Sequence, residues 1–281
     1  MTPAVQEKLN TIQIFLLDYS PVIVAFSGGS DSAFLLKLCM DFLMPSEVLA
    51  VTGISPSIPL EEQKEAEKIA EKLHAPYLTI HTDEMEKEEY RSNPFNRCYF
   101  CKEELFSKLE KLRMNQGYKT ILDGTNADDI KDYRPGLKAR EKFNVRSPLL
   151  ESGFTKDEIR VLSREWNLQT WDKPAMPCLS SRVPYGQEIT LERLNRIYQA
   201  EKLLRKSGFQ EVRVRDHFPI ARIEVQKEKM SEILEEPLHS KIIEEFKKLG
   251  YTYITLDLSG FKSGSLNHLI NNSGNHQFTT H

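Results

Sequence analysis

The residues best suited to chemistry form a glycine turn flanked by hydroxyl and carboxylate side chains. Residues 27–32 read Ser-Gly-Gly-Ser-Asp-Ser and follow an apolar, largely β-branched run at 22–26. The run predicts a buried strand of a parallel sheet, and apolar residues at helical spacing from Asp31 onward predict a helix. Glycines let the backbone approach a ligand closely, and amides at a helix start carry partial positive charge. The turn is therefore predicted to bind phosphate groups.

This strand, turn and helix resemble the PP-loop, Ser-Gly-Gly-x-Asp-Ser, of ATP pyrophosphatases. The string lacks the Gly-x-x-x-x-Gly-Lys-Ser/Thr of a Walker A loop, so transfer of the γ-phosphate is not expected. The resemblance implies cleavage of ATP between its α and β phosphates. AMP would be placed on a substrate oxygen, and pyrophosphate would leave.

A second polar group follows another predicted strand. Residues 123–129 read Asp-Gly-Thr-Asn-Ala-Asp-Asp. Carboxylates and an amide at the carboxyl end of a strand suit Mg²⁺ and nucleotide contacts, with Gly124 and Asp128 as the candidates for the nucleotide. A turn built from Asp, Gly and Asn would have the same composition without binding a ligand, and this interpretation stays open.

Three of the four cysteines are candidates for metal binding or catalysis. Cys98 and Cys101 form a Cys-x-x-Cys pair at a predicted helix start, so their sulfurs share one helical face and can hold one metal or cluster. The alternatives are a redox pair, half of a zinc site, and simple packing of both thiols. The bulky Tyr-Phe insert does not favour a redox pair. A zinc site would need a second Cys-x-x-Cys or suitably spaced histidines, which the sequence lacks. Cys178 is the third thiol, and three thiolates can hold a [4Fe-4S] cluster with one iron open. Cys39 lies on an apolar helix face and is interpreted as core.

Two arginines indicate an anion site in the second half of the chain. Arg213 and Arg215 are two positions apart on a predicted strand, so they point to one face and could bind a substrate phosphate. Glu201 lies on the preceding predicted helix. An exposed basic strand face is the alternative interpretation.

The elements that position these residues alternate between strand and helix. Strands are predicted at 48–52, 77–80 and 120–122, with helices at 60–74 and 101–114. This alternation predicts an α/β fold, a Rossmann-like doubly wound parallel sheet with ligands at the carboxyl ends of its strands.

A proline-rich stretch at 173–185 separates a smaller α+β domain from the parallel sheet. We place the PP-loop ATP pyrophosphatase domain at 1–182 and a C-terminal substrate and oligomerisation domain at 183–281. The predicted elements of the smaller domain are one helix at 190–207, more than one helix over 228–249, and strands at 212–215, 220–225 and 251–258. The tail from Ser263 is expected to be frayed.

Composition excludes several classes of protein. The 281 residues are 40% hydrophobic and 28% charged, with a net charge of −3. That charge balance argues against a dedicated nucleic-acid binder. The sequence shows neither a secretory signal nor a run of about 18 apolar residues able to span a bilayer. We therefore expect a cytoplasmic enzyme with reduced thiols and without membrane contact.

Four strings, the PP-loop and three others, carry a more specific resemblance. They are residues 27–32, Asp-Tyr-Arg-Pro-Gly-Leu-Lys-Ala-Arg at 132–140, Ser-Ser-Arg-Val-Pro-Tyr-Gly at 180–186, and Leu-Asp-Leu-Ser-Gly-Phe-Lys-Ser-Gly at 256–264. With them the chain is similar, nearly end to end, to the LarE family of ATP-dependent sulfur transferases, which build the nickel-pincer nucleotide of lactate racemase. The resemblance implies that pyridinium-3,5-biscarboxylic acid mononucleotide is the substrate and that each carboxylate becomes a thiocarboxylate.

The resemblance also implies roles for individual residues. Asp31 would bind ATP phosphates and Mg²⁺, and the other phosphate-binding residues would be Ser27, Gly28, Gly29 and Ser32. The catalytic and substrate-phosphate region would comprise Ser181, Arg182, Glu201, Arg213, Arg215 and Glu224. Members of the family assemble as homohexamers, which we expect here.

The family offers two sulfur sources. Cys98, Cys101 and Cys178 match members whose three cysteines hold a [4Fe-4S] cluster carrying an extra sulfide, and this form is predicted here, with the sulfide donor unknown. In other members a single cysteine surrenders its own sulfur, a role Cys178 could fill.

Three other functions compete with sulfur transfer to the mononucleotide. A tRNA thiolase would share the activation chemistry, but the net charge and the lack of a basic extension argue against it. An amide-forming ligase would leave three thiols unexplained. A non-catalytic sensor would bind ATP without forming pyrophosphate.

Overall fold

The computed structural model describes residues 2–131, 135–174 and 177–262, which divide into two compact units. The strands are, in chain order, β1 (Val22–Ala25), β2 (Val48–Ile54), β3 (Tyr77–His81), β4 (Thr120–Asp123), β5 (Val212–His217), β6 (Ile220–Val225) and β7 (Tyr253–Leu256). The α-helices are α1 (Pro3–Tyr19), α2 (Ser30–Phe42), α3 (Leu60–Lys72), α4 (Glu88–Arg91), α5 (Arg97–Gln116), α6 (Gly136–Lys142), α7 (Pro148–Glu151), α8 (Lys156–Glu165), α9 (Leu191–Lys206), α10 (Met230–Ile233) and α11 (Leu238–Lys248).

The first unit is built around a parallel sheet of strand order β3-β2-β1-β4. Because successive side chains of a strand point to opposite faces, Val24 packs in a core with α2 and α8, and Ile23 packs in a second core with α5. Helices thus cover both faces of the sheet, and the predicted α/β doubly wound fold is confirmed. Ala25 pairs with Asp123, so β1 and β4 end side by side.

The second unit is a smaller α+β arrangement around the sheet β5-β6-β7, in which β5 and β6 are antiparallel and β6 and β7 parallel. One face of the sheet is apolar: Val214 and Ile223 pack with α9 and α11. The register pairs Arg213 with Glu224 and Arg215 with Arg222, which places these four side chains on the opposite face.

The two compact units divide at Pro177. Residues 88–95 also belong to the second unit. The Asn93 side chain donates hydrogen bonds to the carbonyls of Val183 and Pro184, at 3.2 and 2.7 Å. Local sequence patterns cannot reveal this pairing, because the partners are distant in the chain.

Other elements differ from the sequence-based expectations. The helices predicted over 228–249 are α10 and α11, and they are separated around Pro237, since proline cannot donate the backbone hydrogen bond that a continuous helix needs. Helices α1 and α8 were not predicted. The tail expected to fray from Ser263 lies outside the described residues. No helix in the described ranges is both long enough and apolar enough to span a membrane.

Candidate active site

The glycine turn after β1 has a backbone that requires glycine at one position. Gly28 has a φ of +70°, in the left-handed region, and a Cβ there would lie 2.9 Å from the Cα of Ala66 in α3. Gly29 is the N-cap of α2 and makes no side-chain cap. Side chains therefore do not compete with a ligand for the amides at the start of α2.

Replacing Gly28 with alanine is expected to weaken ATP binding by about tenfold or more, because left-handed strain alone costs about 1–3 kcal/mol. Relief of the contact with Ala66 must also move the turn. Calorimetric titration with ATP measures the effect. Gly117→Ala is the control, since Gly117 has a φ of +76° but its Cβ would meet nothing within 4 Å. Equal ATP affinity in the two variants would contradict the role of the turn.

Hydroxyl groups surround the turn. The hydroxyls of Ser27 and Ser32 lie 3.1 Å apart, and the Ser32 hydroxyl also donates to the carbonyl of Gly29 at 3.1 Å. The Ser30 hydroxyl is buried with no hydrogen-bond partner among the described residues, and Ser30 lines a cavity at this edge of the sheet. A bound anion would supply the missing partner.

Carboxylates from two elements meet beside the turn. Asp31, in the first turn of α2, accepts a hydrogen bond from Nδ2 of Asn126 at 3.0 Å. Asp123, at the end of β4, accepts one from the Thr125 hydroxyl at 2.9 Å. A Cβ on Gly124 would lie 2.9 Å from the Ser32 nitrogen, so glycine lets the end of β4 abut the start of α2.

Asp128, which the sequence analysis selected as a nucleotide contact, makes a hydrogen bond to the backbone at the start of α8. Asp128 accepts a hydrogen bond from the backbone nitrogen of Lys156 at 2.9 Å, in the first turn of α8. A carboxylate at a helix start stabilises that helix. Its neighbour Asp129 lines the cavity. Asp129, which the sequence interpretation had not selected, therefore joins the candidate site.

The cavity has a volume of about 460 Å³ and lies at the carboxyl ends of β1 and β4. This is the edge where ligands bind in doubly wound sheets. Besides the glycine turn and the carboxylates, the lining includes four cations that sequence reasoning missed: Lys102, Lys156, Arg160 and Lys173.

Two of these cations are fixed by carboxylates. Nζ of Lys102 lies 3.6 Å from Oδ2 of Asp123, and Nζ of Lys156 lies 3.2 Å from Oδ1 of Asp129. Lys156 and Arg160 are one helical turn apart on α8, so they face the same side. The capping box of Thr155 and Glu158, which the sequence does contain, was the signal that could have located this helix and its basic face.

Lys173 connects the glycine turn with α3. Its Nζ lies 3.0 Å from carboxylate oxygens of both Glu62 and Glu65 and donates to the carbonyl of Gly28 at 3.2 Å. The side chain is largely buried. Sequence alone gave no signal for it, because its partners lie more than a hundred positions earlier in the chain.

The four thiols have different surroundings. Cys98 is exposed and Cys101 partly buried in the first turn of α5, while Cys178 is partly buried in the second unit, at the N-cap of the 3-10 turn Leu179–Arg182. Cys39 is fully buried, and burial raises the pKa of its thiol, which agrees with a core role. Across the described part of the chain, no group of three or more His, Cys, Asp or Glu residues is placed to hold a metal ion.

A buried ion-pair cluster, here named the arginine cluster, occupies the second unit. Glu201 is fully buried, and its carboxylate accepts hydrogen bonds from Nε and NH2 of Arg182 at 2.8 and 3.1 Å. It also accepts from the backbone nitrogen of Val214 at 3.1 Å and pairs with Arg205. The cluster comprises Arg182, Glu201, Arg205, Arg213, Arg215, Arg222 and Glu224.

The other half of the arginine cluster lies on the charged face of the sheet. Arg215 forms a two-point pair with Glu224, with both distances 2.9 Å, and donates to the carbonyl of Ser181 at 2.8 Å. Arg222 adds a second contact to Glu224 at 3.0 Å. The Ser181 hydroxyl accepts from Arg182 at 2.9 Å. The sequence prediction lacked Arg205 and Arg222.

The charges of the arginine cluster do not balance. Burial tends to raise the pKa of the Glu201 carboxyl, but the charges of Arg182, Arg205 and Arg213 outweigh it and lower that pKa. Burial and repulsion from the other arginines lower the pKa of Arg213 to about 10. Among the described residues, the five guanidinium groups face three carboxylates, those of Glu201, Glu224 and Asp257, of which Asp257 lies 3.6 Å from Nε of Arg222. Positive groups outnumber negative ones there, and guanidinium groups suit an anion such as a phosphate.

Comparison with known proteins gives matches over both units. The sequence pattern of the NAD synthase family matches residues 7–119. A pyridinium-3,5-bisthiocarboxylic acid mononucleotide synthase of Lactiplantibacillus plantarum is 38% identical over 92% of this chain and 94% of its own length. An uncharacterized protein of Synechocystis sp. is 41% identical over 94% of this chain and 98% of its own length. Another, of Methanocaldococcus jannaschii, is 32% identical over 86% of this chain and 91% of its own.

Proposed function

We infer the function from the family to which the chain belongs, that of the pyridinium-3,5-bisthiocarboxylic acid mononucleotide synthase of Lactiplantibacillus plantarum (the LarE family), whose PP-loop type implies an ATP-using enzyme. We propose that it activates the carboxylates of pyridinium-3,5-biscarboxylic acid mononucleotide with ATP and converts them to thiocarboxylates. The product would serve the nickel-pincer cofactor of lactate racemase.

The observation that carries the proposal is the cavity at the glycine turn. A carboxylate oxygen is a poor leaving group, so transfer of AMP to it makes later departure possible. The amides at the start of α2 and the cations Lys156, Arg160 and Lys173 are arranged around one cavity, where they would stabilise the negative charge of departing pyrophosphate.

The donor set of the cavity suits Mg²⁺. Asp31 and Asp129 offer carboxylate oxygens, which are the ligands that Mg²⁺ prefers alongside substrate phosphates. Bound there, the ion would neutralise phosphate charge. Asn126 holds Asp31 by its hydrogen bond, and Lys156 holds Asp129.

The arginine cluster supports binding of the mononucleotide phosphate. Arg182, Arg213 and Arg215 are buried, so an anion beside them would be attracted more strongly than at an exposed basic surface. Burial and repulsion from the neighbouring arginines lower the pKa of Arg213. Glu224 orients Arg215, and Glu201 orients Arg182, so both guanidinium groups are positioned before a ligand binds.

For the sulfur source we propose a [4Fe-4S] cluster held by Cys98, Cys101 and Cys178. Cys98 and Cys101 share one face of the first turn of α5, and thiolates are the usual donors to such clusters. With three thiolate ligands the cluster would supply one open iron site for sulfide. The alternative is that Cys178 gives up its own sulfur. In either case a sulfur atom attacks the acyl-adenylate and AMP leaves. On the Cys178 route the resulting thioester must then lose the Cα proton of residue 178 and break its Cβ–Sγ bond, which releases the thiocarboxylate and leaves dehydroalanine.

Cys98→Ala should discriminate between the two sulfur sources. On anaerobic purification we expect about four irons per chain for the unaltered protein, a broad absorption band near 400 nm, and loss of both in the variant. Cys39→Ala is the matched control and should keep its iron, because Cys39 is enclosed in the apolar core. An iron-free protein in which only Cys178→Ala abolishes sulfur transfer would instead establish Cys178 as the sulfur donor.

We further propose a homohexamer working in the cytoplasm. The family resemblance supports the assembly, and the requirement for reduced thiols supports the compartment. Pyrophosphate formation that depends on the pyridinium mononucleotide tests the function as a whole. ATP binding without pyrophosphate would indicate a sensor, and pyrophosphate formed only with tRNA would indicate a thiolase.

A further inference from the structure

One peptide of the glycine turn has two sterically allowed orientations. Gly28 and Gly29 are joined by a trans peptide bond, whose carbonyl and amide point in opposite directions. In the structure Gly29 has a φ of −82°, and a flip of this peptide would bring that φ to positive values. Glycine adopts negative and positive φ with similar ease, so backbone sterics do not decide between the two orientations. Contacts with other residues must therefore fix which group faces the cavity.

The carbonyl of this peptide is held by Lys173. Nζ of Lys173 donates to the Gly28 carbonyl oxygen at 3.2 Å. Because the bond is trans, the Gly29 amide points the other way, and it donates to the Ser27 hydroxyl at 3.4 Å. Ser27 and Gly29 both line the cavity. A hydrogen bond of that length is weak, so a phosphate oxygen can readily replace the hydroxyl as its acceptor.

Lys173 is in turn held by α3. Its Nζ lies 3.0 Å from one carboxylate oxygen each of Glu62 and Glu65, which are about one helical turn apart. Only 11% of the Lys173 side chain is exposed. On the same face of the helix, Ala66 lies so close to the turn that a Cβ on Gly28 would come within 2.9 Å of it. Helix α3 therefore meets the glycine turn directly through Ala66 and indirectly through Lys173.

The surroundings of Lys173 are those of an anchored side chain. An ammonium group has three N–H donors. The oxygens of Gly28, Glu62 and Glu65 lie 3.0–3.2 Å from Nζ. Two carboxylates also offset its single positive charge. Beyond the charge that it brings to the cavity, Lys173 is thus placed to orient the turn.

We propose that Lys173 is a positioning residue for phosphate binding: it holds the Gly28 carbonyl and thereby keeps the Gly29 amide directed at the phosphates of ATP. This inference rests on the proposed function, because it assigns the glycine turn to ATP. In the flipped orientation the carbonyl oxygen, which carries partial negative charge, would take the place of the amide and repel the phosphate.

Lys173→Met tests the role, because methionine has an unbranched side chain but cannot hold the carbonyl. Calorimetric titration with ATP and Mg²⁺ should show binding about tenfold weaker than in the unaltered protein, the loss expected for one hydrogen bond from a charged donor. In the complete reaction, the KM for ATP should rise while the KM for the mononucleotide stays unchanged. Lys173→Arg should keep most of the affinity, because a guanidinium group also donates hydrogen bonds.

Lys72→Met is the matched control. Lys72 also joins α3 to the segment that precedes residue 173, since its Nζ donates to the side chain of Gln169, but neither residue lines the cavity. The ATP affinity of this variant should equal that of the unaltered protein. Equal weakening in both methionine variants would overturn the inference, because loss of any lysine contact with α3 would then be enough.

A double-mutant cycle with Gly29→Ala separates positioning from direct contact with the phosphates. Alanine accommodates the φ of −82° but avoids the positive φ of the flipped peptide. Its Cβ would lie 3.4 Å from Oγ of Ser27, an ordinary contact, so Gly29→Ala should retain measurable ATP binding. In this background the peptide no longer depends on Lys173, and Lys173→Met should weaken ATP binding by less than about twofold.

Two results of the cycle would overturn the positioning role. One is a loss from Lys173→Met as large in the Gly29→Ala background as in the unaltered turn, and the other is complete loss of ATP binding in Gly29→Ala alone. Unchanged ATP affinity in Lys173→Met, in a protein that still releases pyrophosphate, would overturn the role of Lys173 only. Absence of ATP binding in the unaltered protein would instead overturn the glycine turn as a phosphate site, and the proposed function with it.

Discussion

Replacing Asp31 with asparagine should reduce pyrophosphate release from ATP by about a thousandfold, the effect expected for removing a charged group that organises a phosphate-transfer site. Asp31 occupies the first turn of α2, beside the glycine turn, and lines the cavity. Asparagine has nearly the same shape but lacks the negative charge needed to hold Mg²⁺. The fold should persist, since the substitution leaves the packing of α2 intact.

The control for this prediction lies on the same helix. Asp41→Asn removes a carboxylate that pairs with Lys37 at the other end of α2, where its side chain is 40% exposed. Its rate of pyrophosphate release should match that of the unaltered protein. Comparable rates of pyrophosphate release in the Asp31 and Asp41 variants, measured with saturating ATP and mononucleotide, would contradict a role of Asp31 in the reaction.

Replacing Glu201 with glutamine should lower the free energy of unfolding by about 3–5 kcal/mol, the cost of breaking a buried ion pair from one side. The carboxylate is fully buried and is held by Arg182, Arg205 and the backbone of Val214. Without the negative charge of Glu201, the guanidinium groups around it are no longer neutralised. Urea unfolding, followed by circular dichroism, measures the loss.

The pH dependence of stability should have a definite sign at Glu201. Its folded-state pKa lies below the usual carboxyl value, which is about 4.3 in unfolded chains. The stabilisation is therefore present above that unfolded value and is lost as the pH falls through the folded-state pKa. Glu201→Gln should remove this part of the acid dependence.

Glu192→Gln provides the comparison for Glu201. Glu192 also pairs with an arginine, Arg196, but its side chain is 81% exposed, so its loss should change the free energy of unfolding by less than about 1 kcal/mol. Similar losses of unfolding free energy in the two variants would contradict the prediction, because they would show that the buried Glu201 ion pair contributes no more than an exposed one.

The parallel sheet and the glycine turn could be predicted because their signals are local. The apolar run before Ser27, the two glycines and the helical spacing after Asp31 lie within a short stretch of chain, and the structure has a strand, turn and helix there. The pairing of Arg213 and Arg215 on one face also follows from strand periodicity alone.

The remaining features depend on contacts between distant residues. The salt bridges of Lys173 with α3 and the ion pair of Arg182 with Glu201 arise only when the chain has folded. The cations of α8 were missed because the helix itself was missed, although its capping box was visible in the sequence. Residues 88–95 belong to the second unit, where Asn93 contacts Val183 and Pro184, about 90 positions later in the chain.

The central claim is ATP-dependent exchange of carboxylate oxygen for sulfur on a pyridinium mononucleotide. We would incubate the anaerobically purified protein with ATP, Mg²⁺, sulfide and pyridinium-3,5-biscarboxylic acid mononucleotide, and follow the nucleotide by mass spectrometry together with AMP and pyrophosphate. We expect a product in which sulfur replaces one oxygen of each carboxylate, formed with one AMP and one pyrophosphate per exchange. Recovery of the unchanged mononucleotide with no AMP or pyrophosphate would contradict it.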